Sequence, residues 1–172
     1  MLPQVVQDAL NQQINKELIA SYNYLAMSSY CQRLQFHGFA QWLQAQSQEE
    51  NTHAMKLYSF MIARDCQVQL LSIPQPQSDF SSLLNVFEVA LEQELMVSQS
   101  IDSLYELAFK EKAFAALVEL QWFITEQVEE EQTFREIVTK IKLLQDDPAA
   151  MLDLDREMGS RTGGSVEPAA EA

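Results

Sequence analysis

Residues 49–54 read Glu49-Glu50-Asn51-Thr52-His53-Ala54, inside a stretch whose apolar residues recur every three or four positions. That period predicts an α-helix with one buried face. Glu50 and His53 are three residues apart, so they share one face of the helix and together can bind one metal ion. A single Glu-x-x-His motif is also common on solvated helix faces, so its meaning depends on the rest of the chain.

A fixed spacing connects this motif to other positions. Glu17 lies 33 residues before the Glu of the motif and 36 before its His, and Glu94 lies at the same two distances before Gln127 and Glu130. The chain therefore contains two related halves. A Glu from each of two helices, with a Glu-x-x-His from each of two others, is the ligand pattern of di-iron carboxylate bundles. The second half departs from it, because Gln replaces one Glu and Glu replaces the His.

Four long segments show the helical period, which predicts an all-α fold. The segments cover residues 4–34, 39–66, 81–109 and, after a break near 110–112, a stretch to about 144. Residues 67–79 contain two prolines and interrupt the helices. A connection of this length can cross a whole bundle, so we predict an up-down-down-up four-helix bundle with a long crossover between helices two and three.

A short fifth helix is expected after the bundle. Asp147 is the expected N-cap and Pro148 suits the first turn, and we expect this helix to end near Gly159. Ser78 or Asp79 is the expected cap of helix three. We expect one domain over residues 1–159 and a disordered tail over residues 160–172.

The composition excludes several classes of partner. Lys and Arg total 11 against 25 Asp and Glu, which gives a formal net charge of −14. Nucleic acids and anionic membranes attract basic surfaces, so neither is an expected partner, whereas cations are. No segment has the pattern of a membrane span or of a secretory signal. Two cysteines, Cys31 and Cys66, do not make a disulfide framework, and we expect a cytoplasmic protein.

Glu17 and Glu94 stand in mid-helix among apolar neighbours. Burying an unpaired carboxylate costs several kcal/mol, so such a residue is exposed, protonated or bound to a cation. Tyr24 lies seven residues after Glu17, two turns along the same helix face. It can donate a hydrogen bond to a site carboxylate or supply an electron, and the alternative is an ordinary core tyrosine.

A second acidic group adjoins the first. Glu126, Glu129 and Glu130 lie three and four residues apart on one face of helix four, and Glu49 precedes Glu50 on helix two. Like charges packed this closely repel one another and are stabilised by a cation. For Glu49, Glu126 and Glu129 two interpretations stay open, a further metal site or a solvated acidic face.

The chain resembles the ferritin family, and within it the haem-free bacterial ferritins, over residues from about 5 to 158. The resemblance is carried by Asn15-Lys16-Glu17-Leu18 with Ser21-Tyr22-Asn23-Tyr24-Leu25-Ala26-Met27, by Glu49-Glu50-x-x-His53-Ala54, and by Gln121-Trp122-Phe123 with Glu126-Gln127-x-Glu129-Glu130-Glu131. It implies a ferroxidase, which oxidises ferrous iron with O₂ or H₂O₂. It also implies a shell of twenty-four subunits that stores ferric oxyhydroxide.

The resemblance implies roles for individual residues. The implied ligands of the di-iron centre are Glu17, Glu50 and His53 at a first position and Glu50, Glu94 and Glu130 at a second, with Gln127 nearby. The implied ligands of a third, inner-surface iron site are Glu49, Glu126 and Glu129 with Glu130. Tyr24 and Trp122 match aromatic residues beside the centre.

Haem is not expected. Haem-binding relatives carry a Met between the Glu and the His of the first motif, where this chain has Asn51-Thr52. They also have a Glu-x-x-His in the fourth helix, where this chain has Gln127-x-x-Glu130.

Two other functions fit a helical bundle of this kind. One is a di-iron oxidase or oxygenase that holds a substrate within the bundle, and the other is a metal-free structural bundle whose carboxylates face solvent. A particle of about twenty-four subunits favours iron storage, whereas a monomer or dimer favours either alternative.

Overall fold

The structure, a computed structural model, describes residues 2–160. Over that range the helices are α1 (Gln4–Arg33), α2 (His37–Ala63), α3 (Leu83–Lys110), α4 (Phe114–Leu144) and α5 (Pro148–Ser160). The described residues contain no strand, which confirms the predicted all-α fold. Within the same range, no helix is long and apolar enough to cross a membrane. The tail predicted over residues 160–172 lies outside the described residues except for Ser160, which ends α5.

Both ends of α2 differ from the prediction. The helix begins at His37 rather than at residue 39, because α1 is already closed by a turn in which Gln35 has a φ of 65°. His37 is therefore helical, although its side chain is exposed. The helix ends at Ala63 rather than at residue 66, because Asp65, just beyond its end, takes a φ of 54°. A left-handed residue stops a helix wherever it occurs, and neither of these positions is a glycine.

The cap of α3 also differs from the prediction. Ser82 is the capping residue, and its Oγ accepts a hydrogen bond from the backbone N of Asn85 at 3.0 Å. Ser78 and Asp79 instead bind the guanidinium group of Arg33 on α1, through the Ser78 carbonyl oxygen at 3.1 Å and the Asp79 carboxylate at 2.8 Å. These two residues belong to the loop that crosses the bundle.

That loop, residues 64–82, runs along α1. Near its start, Asn11 of α1 donates to the carbonyl oxygen of Gln67 at 3.1 Å and accepts from the N of Gln69 at 2.8 Å. Near its end, the hydroxyl of Tyr30 donates to the carbonyl oxygen of Phe80 at 2.6 Å. Because Asn11 and Tyr30 lie towards opposite ends of α1, the loop returns the chain to the far end before α3 begins. The predicted up-down-down-up order is confirmed.

The core is divided into two apolar clusters by a layer of polar side chains. One cluster surrounds Phe87 and Phe134 and extends to α5, and the other surrounds Leu57 and Leu120 at the opposite end. The layer between them consists of Glu17, Glu50, His53, Glu94, Gln127 and Glu130, none more than 6% exposed. Protein interiors rarely contain so many ionisable groups, so the layer is the candidate functional site.

The short helix α5 packs across the start of α2 at a contact that requires glycine. A Cβ atom on Gly38 would lie 1.7 Å from the carbonyl oxygen of Asp155. The Asp155 carboxylate accepts a hydrogen bond from the N of Phe39 at 2.9 Å, which satisfies one of the free N–H groups at the start of α2. Asp147 caps α5 as predicted, accepting from two N–H groups of the first turn at 3.1 Å each.

Candidate metal centre

The structure brings together all six residues that the two-halves pattern selects. They come from four helices: Glu17 from α1, Glu50 and His53 from α2, Glu94 from α3, and Gln127 and Glu130 from α4. Each helix reaches the layer near its middle, since the equal spacing in the two halves places the residues at the same height in the bundle.

Three of these residues form a compact group of metal-ligand atoms. One carboxylate oxygen each from Glu17 and Glu50, and a ring nitrogen of His53, all lie within 4.8 Å of one another. The His53 Nδ1 atom is 3.4 Å from Oε2 of Glu50. The Oε2 atoms of Glu17 and Glu50 are buried and have no hydrogen-bond partner. Buried carboxylate oxygens without partners are costly, and a bound cation would satisfy both.

The second half of the layer is arranged differently. Both carboxylate oxygens of Glu94 are occupied, because the Tyr24 hydroxyl donates to Oε1 and the Gln127 Nε2 donates to Oε2 at 3.1 Å. Gln127 Nε2 also lies 3.3 Å from the Glu94 carbonyl oxygen. Glu130 is buried beside these groups. The amide of Gln127 thus presents its nitrogen to Glu94, and Tyr24 is a hydrogen-bond donor to the centre rather than only a core residue.

The carboxyl groups of the layer share an unfavourable environment for negative charge. Burial raises the pKa of Glu17 to about 7, although the hydrogen bond from Gln13 opposes this, and burial with repulsion from Glu94 raises that of Glu130 to about 9. Burial and neighbouring carboxylates also raise the pKa of Glu50 well above its usual value, and burial raises that of Glu94. Without a cation, the layer therefore retains protons at neutral pH.

His53 is held in the form that binds metals. Burial, with a smaller effect from the positive charge of Lys56, lowers the pKa of His53 to about 4. The imidazole is therefore neutral at physiological pH. A neutral imidazole among several carboxylates is a donor set suited to ferrous iron.

Residues 7–144 match the family model of the ferritin-like domain. The chain belongs to the ferritin family. It is 35% identical to the bacterial non-heme ferritin of Staphylococcus aureus over 162 residues, which cover 94% of this chain and 98% of that protein. It is 42% identical to the bacterial non-heme ferritin of Campylobacter jejuni over 144 residues, which cover 84% and 86% of the two chains.

Solved ferritin structures have the same fold. An open-pore ferritin from the hyperthermophilic archaeon Archaeoglobus fulgidus matches with a TM-score of 0.93 at 40% identity, over 94% of this chain and 99% of that one. A closed form of the Archaeoglobus fulgidus ferritin, obtained by site-directed mutagenesis, matches with a TM-score of 0.92 at 41% identity, over 94% and 98% of the two chains. The predicted ferritin bundle with a short fifth helix is confirmed.

A second group of possible ligands adjoins the first in this ferritin-family chain. Ligand atoms of Glu49, His53 and Glu126 lie within 4.8 Å of one another. Glu49 and Glu126 are partly exposed, and burial raises the pKa of both carboxyl groups. Glu129, which the sequence places with them, is exposed and outside this compact group. His53 thus belongs to both groups, which sequence spacing did not reveal.

Trp122 of α4 packs against His53, the residue shared by the two ligand groups. Its ring meets the imidazole edge-to-face with centroids 5.2 Å apart, and it is 39% exposed rather than fully in the core. The Nζ atom of Lys56 lies 4.9 Å from the centre of the Trp122 ring and 3.5 Å from Oε1 of Glu119. A cation over an indole is attracted to the ring face, so Lys56 stabilises this position of the Trp122 ring.

Proposed function

We propose that this chain is an iron-storage ferritin with ferroxidase activity. It binds two ferrous ions in the buried layer, oxidises them with O₂ or H₂O₂, and passes ferric iron to an oxyhydroxide mineral. The proposed ligands are Glu17, Glu50 and His53 at the first position and Glu50, Glu94 and Glu130 at the second. The observation that carries the proposal is the buried group of Glu17, Glu50 and His53, in which two carboxylate oxygens lack partners.

The ligand types account for the chemistry. Carboxylates and one imidazole leave coordination positions open on ferrous iron and stabilise the ferric product. Two ferrous ions each give one electron, and one O₂ molecule takes both with two protons to give H₂O₂. Glu50 is proposed to bridge the two ions because its carboxyl group interacts with Glu17, a proposed ligand of the first position, and with Glu94 and Glu130, proposed ligands of the second. The protons retained by the carboxyl groups leave as the cations bind.

Gln127 and Tyr24 have supporting roles in this proposal. Both donate hydrogen bonds to Glu94, and together they direct its carboxylate before the second ion arrives. Tyr24 is buried and its pKa is raised well above the usual value by burial and by three carboxylates, so its hydroxyl keeps its proton. It lies close enough to the centre to supply an electron to it.

The second group of possible ligands, Glu49, His53 and Glu126, is proposed as a third iron site. Glu49 and Glu126 are half-buried acids beside His53, and Glu129 with Glu130 extends the acidic surface along α4. Ions bound here would lie between the centre and the mineral. The exposed position of Glu129 suits a residue that receives ions rather than one that holds them before oxidation.

The proposal includes a homo-oligomeric shell of twenty-four subunits in the cytoplasm, without haem, nucleic acid or membrane as partners. Residues 1–159 act as its single domain. Support comes from large apolar side chains at the turn between α3 and α4, where Phe109, Phe114 and Val118 are exposed. Large apolar side chains exposed this close together in sequence suit a contact with other chains.

Glu50→Ala tests the proposed activity most simply, because the residue serves both positions. We expect it to reduce the rapid phase of ferrous oxidation, followed by stopped-flow absorbance after mixing with O₂, by at least about a hundredfold. Glu92→Ala is the control, since Glu92 is an exposed acid on α3 two residues from Glu94. A wild-type rate for Glu50→Ala would refute the assignment, and a monomeric or dimeric particle on size exclusion would refute storage in a shell.

A further inference from the structure

A chain of hydrogen bonds connects the protein surface to Glu17. The Nζ atom of Lys16 donates to Oγ of Ser100 at 2.5 Å. The Ser100 hydroxyl donates to Oε1 of Gln13, and Nε2 of Gln13 donates to Oε1 of Glu17 at 2.8 Å. This series of hydrogen bonds begins at the exposed Lys16 of α1, passes through Ser100 of α3 and returns to α1 at the buried layer.

The direction of these hydrogen bonds is set at the surface end. An ammonium group only donates, so the Ser100 oxygen must accept from Lys16. With its oxygen accepting from Lys16, the Ser100 hydroxyl directs its single proton to the oxygen of Gln13, and the NH₂ group of Gln13 faces the Glu17 carboxylate. If the amide were turned over, its oxygen would face the Glu17 carboxylate and the hydrogen bond to that carboxylate would be lost.

Gln13 is the amide that donates to Glu17, whose other hydrogen-bond partner is the carboxyl group of Glu50. Gln13 and Glu17 are each 1% exposed, so water does not replace the contact. The hydrogen bond fixes Oε1 of Glu17, while Oε2, which has no partner, is left for an ion. The amide thus determines which way the carboxylate faces.

In the Glu94 half of the layer, no glutamine stands at the position that corresponds to Gln13. Gln13 precedes Glu17 by four residues, and the residue four before Glu94 is Ala90. Glu94 is instead held by Tyr24 and Gln127, which come from two other helices. The hydrogen-bond chain therefore acts on the first metal position alone.

We propose that Gln13 is a positioning residue for the first metal position, and that Lys16 and Ser100 fix the orientation of its amide. The inference rests on the proposed function, since it concerns the ligand set of the same centre. None of the three residues is proposed as a metal ligand. Gln13 acts through Glu17, and Ser100 and Lys16 act through Gln13.

Zinc binding tests the proposal, because Zn²⁺ accepts the same ligands without being oxidised. Gln13→Met keeps the length of the side chain and removes its donor and acceptor. In the assembled protein, we expect it to weaken zinc binding at the first position about 10- to 100-fold, as is usual for loss of a residue that orients a ligand. Competition with a fluorescent chelator gives the affinity, and anomalous scattering from crystals at limiting zinc gives the occupancy of each position.

Matched variants separate positioning from general structure. Ser100→Ala should weaken the first position in the same direction by a smaller factor, while Ser103→Ala, one turn away on α3 and exposed, should not. Lys16→Arg should retain wild-type affinity because a guanidinium is also only a donor, and Lys16→Met should not. In a Glu17→Ala background, Gln13→Met should have no further effect.

Each outcome bears on one of the two proposals. If the wild-type protein binds no zinc at Glu17, Glu50 and His53, the proposed function fails. If the wild type binds zinc there and Gln13→Met binds it equally well, or if the Gln13→Met effect persists in Glu17→Ala, the positioning role is overturned while the proposed function stands. Equal losses at both positions would also overturn it.

Discussion

The two halves of the polar layer have the same spacing in sequence, but their carboxylate oxygens differ in hydrogen bonding in the structure. In the α1–α2 half, Glu17, Glu50 and His53 already bring their ligand atoms within 4.8 Å, and two oxygens are free. In the α3–α4 half, both oxygens of Glu94 are engaged by Tyr24 and Gln127. The first position is therefore ready for an ion, whereas the second requires Glu94 to exchange hydrogen bonds for a metal. We infer that the halves fill in that order.

The largest expected effect compares ligands of the two halves. Glu17→Ala should lower zinc affinity at the first position by more than about a hundredfold, since a ligand itself is lost and not only its support. Glu130→Ala should leave that position within about threefold of wild type and affect the second. Chelator competition combined with anomalous occupancy measures both. Equal losses at both positions in either variant would mean that the halves act as one site.

Dependence of stability on pH should follow the burial of Glu17. Its carboxyl has a pKa of about 7 in the folded protein against 4.5 in the unfolded chain, so the folded form binds the proton more tightly. Its contribution is therefore fully present below about pH 4.5 and is lost as pH rises to about 7, by about 3 kcal/mol per subunit.

Glu17→Gln isolates this contribution because it mimics the protonated carboxyl. For the metal-free proteins, the gain in thermal midpoint of Glu17→Gln over wild type should widen between pH 5 and pH 8. With zinc bound, that gain should disappear, because the wild-type carboxylate then has its cation. Parallel midpoint curves for the two metal-free proteins would contradict the account.

Restoring a Glu at position 127 tests why the second half departs from the pattern. In Gln127→Glu the new carboxylate replaces a donor to Glu94, which should destabilise the metal-free protein by about 2 to 3 kcal/mol. For a chain of this size that is about 5 to 10 °C in thermal midpoint. Zinc should reverse the loss. Gln132→Glu, at an exposed position on α4, is the control and should change the midpoint little.

The smallest expected effect concerns the hydroxyl of Tyr24. Tyr24→Phe removes one hydrogen bond to Glu94 and should weaken zinc binding at the second position about tenfold, which corresponds to about 1.4 kcal/mol, with little change at the first. Tyr30→Phe, which removes a hydroxyl bonded to the loop at Phe80, should leave both positions unchanged. A weakened first position in Tyr24→Phe would contradict the separation of the halves.

The bundle and most of the layer could be predicted from sequence because both depend on regular spacing. A period of 3.6 residues defines the helices, and the repeat of 33 and 36 residues places Glu17, Glu50, His53, Glu94 and Glu130 at one height. The prolines of the loop similarly indicate the crossover. The ends of α2 were harder to predict, because Gln35 and Asp65 adopt left-handed conformations that these residue types do not signal.

The contacts that prepare the site were beyond the sequence pattern. Ser100 and Gln13 are separated by 87 residues, and nothing local to either indicates their hydrogen bond. The membership of His53 in both ligand groups likewise depends on how α2 and α4 pack. A Gln four residues before a buried mid-helix Glu is the one local signal that would have pointed to Gln13, since such residues share a helix face.

The most direct test is a crystal of the assembled protein soaked anaerobically in limiting ferrous iron, with anomalous data at the iron edge. We expect a first peak among Glu17, Glu50 and His53, and a second beside Glu94 and Glu130 only as the iron concentration rises. A peak beside Glu94 and Glu130 that appears first, or iron confined to Glu49 and Glu126, would contradict this expectation.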